Sequence, residues 1–151
     1  MTPSLPHLAR KIAALSLRDW RELVQAQWAL FGARAIVRSR PVGALASPAN
    51  VVSEPVDTDR IPEARRLALA VLRAARYGVF RPQCLVRSVA LSRLLEARGI
   101  RGAVVRVGVR RTTTEFLAHA WVELGGETIG DADEHVGSFV PLTNLDVQRF
   151  G

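Results

Sequence analysis

Two runs of alternating side chains joined through glycine limit this chain more than any other feature. In GAVVRVGVRR, residues 102–111, Val105, Val107 and Val109 alternate with Val104, Arg106 and Gly108, the period of a half-buried strand. In FLAHAWVEL, residues 116–124, Leu117, His119, Trp121 and Glu123 fall on one side and Phe116, Ala118, Ala120 and Val122 on the other. Thr112 to Thr114 make a turn between the two runs, and Gly125-Gly126 signals a second reversal into ETIGD. The pattern requires antiparallel pairing, with a short further strand expected at Phe139-Val140.

Helical spacing governs the residues before this sheet. Ser16 with Asp19 forms a capping-box pair, and Trp20, Leu23, Val24, Trp28, Phe31 and Ala35 recur at helical intervals to about Val37, so this aromatic stripe is expected to face the core. A short helix is expected before it. From Ser39 to Thr58 the periodicity gives way to Pro41, Gly43, Pro48 and Pro55, a connector. Asp59 and Pro62 start a second helix that carries Leu67, Val71, Leu72 and Ala75 inward and stops at Gly78. Leu85, Val89, Leu91, Leu94 and Leu95 mark a third, closed by Gly99 in a left-handed cap. Pro82 bars helix from the residue before it, which places Cys84 in or beside the first turn of that third helix.

At 151 residues the chain fits one domain, 1–151, divided into an N-terminal helical part with its connector, 1–58, and a core over 59–151. A single cysteine excludes an internal disulfide, and the opening residues lack the apolar run of a secretory signal, so a cytoplasmic protein is expected. Apolar patches such as WALFGARAIV are too short or too interrupted to cross a bilayer. The net charge of +7 comes almost wholly from arginine scattered singly or in pairs, which reads as solvated surface rather than a nucleic-acid footprint; attraction of an acidic peptide or partner is the alternative.

Three residues have the chemistry of a nucleophilic site. A helix N-terminus favours the thiolate of Cys84 and offers unpaired N–H groups to an oxyanion, although a lone cysteine is more often a core residue. His119 stands in mid-strand, where an imidazole must have its nitrogens satisfied, and Asp131 lies in the strand returning beside it. In a Cys-His-Asp triad the imidazole takes the thiol proton and the carboxylate fixes its tautomer. A two-residue Gly125-Gly126 loop would pair Ala120 with Asp131 and turn that carboxylate away from His119. A three-residue loop, Leu124-Gly125-Gly126, would pair His119 with Asp131, and this second register is the expectation.

Around the triad, Gln83 could turn its amide toward an oxyanion, Trp121 could shield the His-Asp pair or fill the core, and Glu123 could compete for the orienting role. Asp133, Glu134 and His135 lack a second His or a Cys at ligand spacing and read as solvated loop; no metal or other cofactor is expected.

CLVRSVALSRLLEARGI, VVRVGVR, FLAHAWVEL and a Gly-Asp after a short turn, in that order, are similar to the transglutaminase-like superfamily of papain-like folds. More narrowly, residues 64–142 resemble the stand-alone leader peptidases of lasso-peptide biosynthesis. The resemblance implies an α+β, papain-like core with N-terminal helices packed on a small antiparallel sheet. It also implies a cysteine protease that removes the leader from a ribosomally made precursor, with Cys84 as nucleophile, His119 as base and acid, and Asp131 as orienting partner. The partners it implies are the precursor leader peptide, a separate small winged-helix leader-binding protein and a macrolactam synthetase. The same triad could instead serve a transglutaminase or deamidase, and a basic binding module with Cys84 in its core is the non-enzymatic alternative.

Overall fold

The computed structural model describes residues 14–47 and 55–142 as three helices packed on one face of a four-stranded antiparallel sheet. Helix α1 spans Leu17–Ser39, α2 Ile61–Tyr77 and α3 Cys84–Ala97; strands β1, Ala103–Arg111, and β2, Phe116–Leu124, are followed by β3, Glu127–Ile129. A one-turn helix α4, Asp133–Val136, leads to β4, Val140–Pro141. The sheet order is β3-β2-β1-β4. The helix expected before α1 lies outside the described residues, as does part of the connector.

Helix α1 starts with the reciprocal cap read from the sequence. Ser16 Oγ–H and N–H donate to Asp19 Oδ2 at 2.7 and 2.9 Å, which holds the Asp19 carboxyl below its usual range, and Asp19 N–H donates to Ser16 Oγ at 3.2 Å. Its buried face, however, is not the aromatic stripe. Glu22, Ala26, Leu30 and Ala33 face the protein, whereas Trp20, Val24, Phe31 and Ala35 are exposed and Trp28 is 71% exposed. Both stripes recur at helical spacing, and they are offset by two residues, roughly 200° around the axis. Small residues win because the buried side chains of α1, two of them alanines, let it approach the alanine-rich α2 and the neighbouring α3 closely. The buried Glu22 is paired with Arg66 Nε at 3.1 Å and Arg18 Nε at 3.3 Å, which offsets the cost of its desolvation.

Helix α2 carries its proline in the first turn, buries Leu67 and Val71, and leaves Leu72 exposed, contrary to expectation. Helix α3 ends where the left-handed Gly99, φ 66°, donates to Glu96 O at 2.8 Å and lets Ile100 N–H reach Leu95 O at 2.9 Å.

The two sheet faces have separate cores. Val105, Val122, Leu124 and Ile129 pack with the helices, while Trp121 packs with Val136, Phe139 and Leu117 on the other face, under the segment that carries α4 and β4. Arg106 and Gly108 are consequently buried, as is Val104, although one face of β1 was expected to be open. β4 pairs with β1 through Gly108↔Pro141 and Val109↔Val140, one residue beyond the strand expected at Phe139-Val140.

Candidate active site

Alternation along β2 points Leu117, His119, Trp121 and Glu123 to the face turned away from the three helices. His119 pairs across the ladder with Gly108, and the lack of a side chain there matters. A Cβ on Gly108 would stand 2.7 Å from Cη2 of Trp121, so glycine gives the indole room to lie across β1. Trp121, 1% exposed, then stacks its ring against His119 with centroids 6.2 Å apart. Its buried N–H donates to Glu123 Oε1 at 2.9 Å, while Glu123 Oε2 accepts from Arg106 Nε at 2.9 Å. Glu123 is thereby committed to Trp121 and Arg106 and does not orient His119.

The hairpin takes the register that was rejected from the sequence. Leu124 pairs with Glu127 and Val122 with Ile129, so Gly125 and Gly126, both left-handed at φ 61° and 84°, form the two-residue loop. Continued by strict alternation, that register would turn Asp131 away from the imidazole. The ladder stops at Ile129, and Gly130 adopts φ 80°, a conformation that reverses the side of the next residue. Asp131 Oδ2 therefore meets His119 Nε2 at 2.6 Å, while Oδ1 accepts from Ala132 N–H at 3.0 Å. The carboxylate is held at both oxygens.

Cys84 is the first residue of α3 and half-buried. The chain reaches it through a loop braced on α1: Val79 N–H donates to Gln27 Oε1 at 3.3 Å, and Phe80 packs on Phe31 with ring centroids 5.3 Å apart. Gln83 is the exposed N-cap, and its side chain makes no capping bond. A small crevice between α2, α3 and the sheet carries Cys84, Arg87 and Ser88 on one wall and Trp121, Gly130 and Asp131 on the other. Cys84 and Asp131 thus share one opening, at the place where β3 has ended and the edge of β2 has no strand beside it among the described residues. Among the described residues no hydrogen bond joins the Cys84 thiol to His119. Such contacts are commonly loose before substrate is bound.

The segment beyond Asp131 supplies side chains that the sequence reading left aside. Asp133, Glu134 and His135 are exposed, but they form one helical turn rather than a loop, and the His135 ring stands edge-on to His119 with centroids 4.8 Å apart. Phe139 lies 5.2 Å from the His119 ring, and the Arg110 guanidinium is 4.9 Å from the Phe139 ring. Spacing in sequence could not have signalled these contacts, because α4 folds back over the sheet from outside the strand ladder.

Three helices and an antiparallel sheet make this an α+β protein, with a cysteine at a helix start, a mid-strand histidine and an aspartate just past the next strand. Residues 11–144 match the transglutaminase-like superfamily, and the chain belongs to that superfamily. It is similar to the microcin J25-processing protein McjB of Escherichia coli, 46% identical over 55 residues that make up 36% of this chain and 25% of that relative. No solved structure matches. Among the described residues no helix is long and apolar enough to cross a membrane.

Proposed function

We propose that this chain is a cysteine peptidase that removes the leader from a ribosomally synthesised lasso-peptide precursor. The observation that carries the proposal is the 2.6 Å His119–Asp131 pair beside a crevice whose opposite wall holds Cys84 at a helix start. Likeness to a microcin J25-processing protein supplies the substrate class. In the reaction, Cys84 Sγ attacks the scissile carbonyl carbon as its proton passes to His119. The C–N bond then breaks, His119 hands that proton to the leaving amine of the core peptide, and the leader remains on sulfur as a thioester. Water attacks the thioester with His119 as base, releasing the leader carboxylate and regenerating the thiol. Asp131 holds the tautomer and stabilises the imidazolium; the Cys84 N–H, with the Gln83 amide as a second donor, faces the developing oxyanion.

In this reading the single domain has its catalytic core in 59–151, and Trp121 shields the His-Asp pair from water. The net charge of +7 favours an acidic leader, presented by a separate small winged-helix protein before the freed amine passes to a macrolactam synthetase. The superfamily also favours a second reading, acyl transfer to an amine or deamidation on the same triad. Mass spectrometry of a lasso precursor incubated with the protein and the leader-binding protein separates them. Peptide-bond hydrolysis yields leader and core fragments, whereas acyl transfer gives an intact chain with a small mass change. Cleavage that persists in Cys84→Ala or His119→Ala overturns the thiol mechanism.

A further inference from the structure

Two imidazoles and a carboxylate meet on the sheet face away from the helices. One ligand atom from each of His119, Asp131 and His135 can be chosen so that all three lie within 4.8 Å of one another. We propose that these three side chains bind a borderline divalent metal ion, Zn²⁺ or its substitute Co²⁺, and that the bound ion switches the thiol site off. The regulatory half of this proposal rests on the acyl-transfer reading above; the binding half does not.

The donor set fits such an ion. Two neutral imidazoles with one carboxylate suit Zn²⁺ and Co²⁺ better than the hard cations Ca²⁺ and Mg²⁺, which prefer all-oxygen sites. Ligand bonds of about 2.0–2.2 Å require donor atoms roughly 3.2–3.6 Å apart in a tetrahedral site. The His119–Asp131 contact at 2.6 Å must therefore open by less than an ångström or so, and His135 must swing inward. His135 can do so, since it is exposed on a one-turn helix whose side-chain contacts at this point are ring contacts with His119 and Phe139. Asp133 and Glu134 add negative charge beside the site, and the neighbouring Arg110 lies over the Phe139 ring and donates to Ser138 Oγ at 2.9 Å. Two of the three donors are also partly open to water, so the ion can enter and keep a solvent ligand.

Binding there would take the Asp131 carboxylate from His119 and put a positive charge against the imidazole that must accept the Cys84 proton. The result is inhibition without any bond to sulfur, which distinguishes this site from metal capture by the thiolate itself.

The test uses Co²⁺ titration of the full chain as wild type and as Cys84→Ala, followed by visible absorption, with Zn²⁺ competition and ¹⁵N-histidine NMR. Expected are one ion per chain in both proteins, no thiolate-to-cobalt charge-transfer band, and paired movement of the His119 and His135 resonances with His7 unmoved. Loss of the His135 ligand in His135→Ala, or in His135→Gln as the polar control, should weaken binding by at least about tenfold, with circular dichroism unchanged. Affinity unchanged in both His135 variants, a charge-transfer band that disappears in Cys84→Ala, or shifts confined to His7 would each overturn the site. Cleavage measured with and without Zn²⁺ then reads the regulatory half: Zn²⁺ should inhibit wild type and lose that effect in His135→Ala, and equal inhibition of both refutes it. A protein with no peptidase activity but with His135-dependent binding would refute the functional reading and leave the metal site standing.

Discussion

Gly130→Ala attacks the one backbone conformation that brings Asp131 to His119. At φ 80° an L-residue pays the left-handed penalty of about 1–2 kcal/mol. The new Cβ would also stand 2.8 Å from Cβ of Ala68 on α2, well inside van der Waals contact, and overpacking of this kind costs about 1–3 kcal/mol. Reduced freedom of the unfolded chain returns about 0.4–1 kcal/mol, leaving a net destabilisation of about 1–4.6 kcal/mol. Ala68→Gly removes the contact while leaving the backbone angle, at about 1 kcal/mol for glycine inside a helix. Urea denaturation of wild type, both single variants and the double variant should therefore show a favourable coupling of about 1–3 kcal/mol between the two sites. The His119 ring nitrogen resonances should also change in Gly130→Ala, because relaxing the angle moves Asp131 off Nε2. A variant that loses less than about 0.5 kcal/mol and keeps the His119 signature would refute the role given to Gly130.

Asp131→Asn should preserve the fold and lower kcat for precursor cleavage on the order of 10³–10⁴-fold, since the amide supports the wrong imidazole tautomer; full activity would remove Asp131 from the triad. Trp28→Ser should change stability by less than about 0.5 kcal/mol and Leu30→Ala should cost about 2–5 kcal/mol, and the reverse ranking in thermal melts would contradict the packing of α1. Glu123→Ala removes the acceptor of the Trp121 N–H and of Arg106 Nε, with an expected loss of about 1–3 kcal/mol by denaturant unfolding and none if both groups find other acceptors. Arg101 hydrogen bonds hold the Asp57 carboxyl below its usual range, so its contribution is complete above the unfolded value near about pH 4 and is lost as pH falls through the lower folded value. Asp57→Asn should accordingly flatten the acid limb of the stability curve below about pH 4, and an unchanged limb would show the pair to be inert.

Where local chemistry decides structure, the chain could be read directly. Ser16-Asp19, Pro62, Pro82 and Gly99 act through bonds within a few residues, and α1, α2 and α3 start or stop accordingly. The strands were legible because alternation is itself the structural signal. The inward face of α1 was not. Tryptophan and phenylalanine have more apolar area to bury than alanine, but the choice of face depended on the helices packed against α1, information that lies outside α1. Leu72 points into the crevice beside Val71 and Cys84, and the opening of that crevice leaves it exposed, which depends on where β3 ends and not on the pattern within α2. His135 was invisible for a third reason, since its contact with His119 is made by tertiary folding of α4 over the sheet.

The hairpin shows how the expected His119–Asp131 contact is made through a register other than the expected one. Side-chain alternation binds only residues inside a ladder, and here the β2–β3 ladder ends at Ile129, two residues before the carboxylate that matters. Extending β3 by two more pairs, Trp121↔Gly130 and Ala120↔Asp131, would return Asp131 to the Ala120 side and would also cover the edge of β2 where the crevice opens. The shortness of β3 and the left-handed Gly130 therefore act together. One leaves the opening shared by Cys84 and Asp131, and the other swings the carboxylate through the end of the strand to His119 on the far face. Cys84 lies in the helical layer and His119 on the opposite face of the sheet, and Asp131, at the chain reversal on the sheet edge, both lines the crevice with Cys84 and meets His119. A glycine at that reversal is a sequence signal of the site in its own right, as informative as the cysteine, histidine and aspartate it joins.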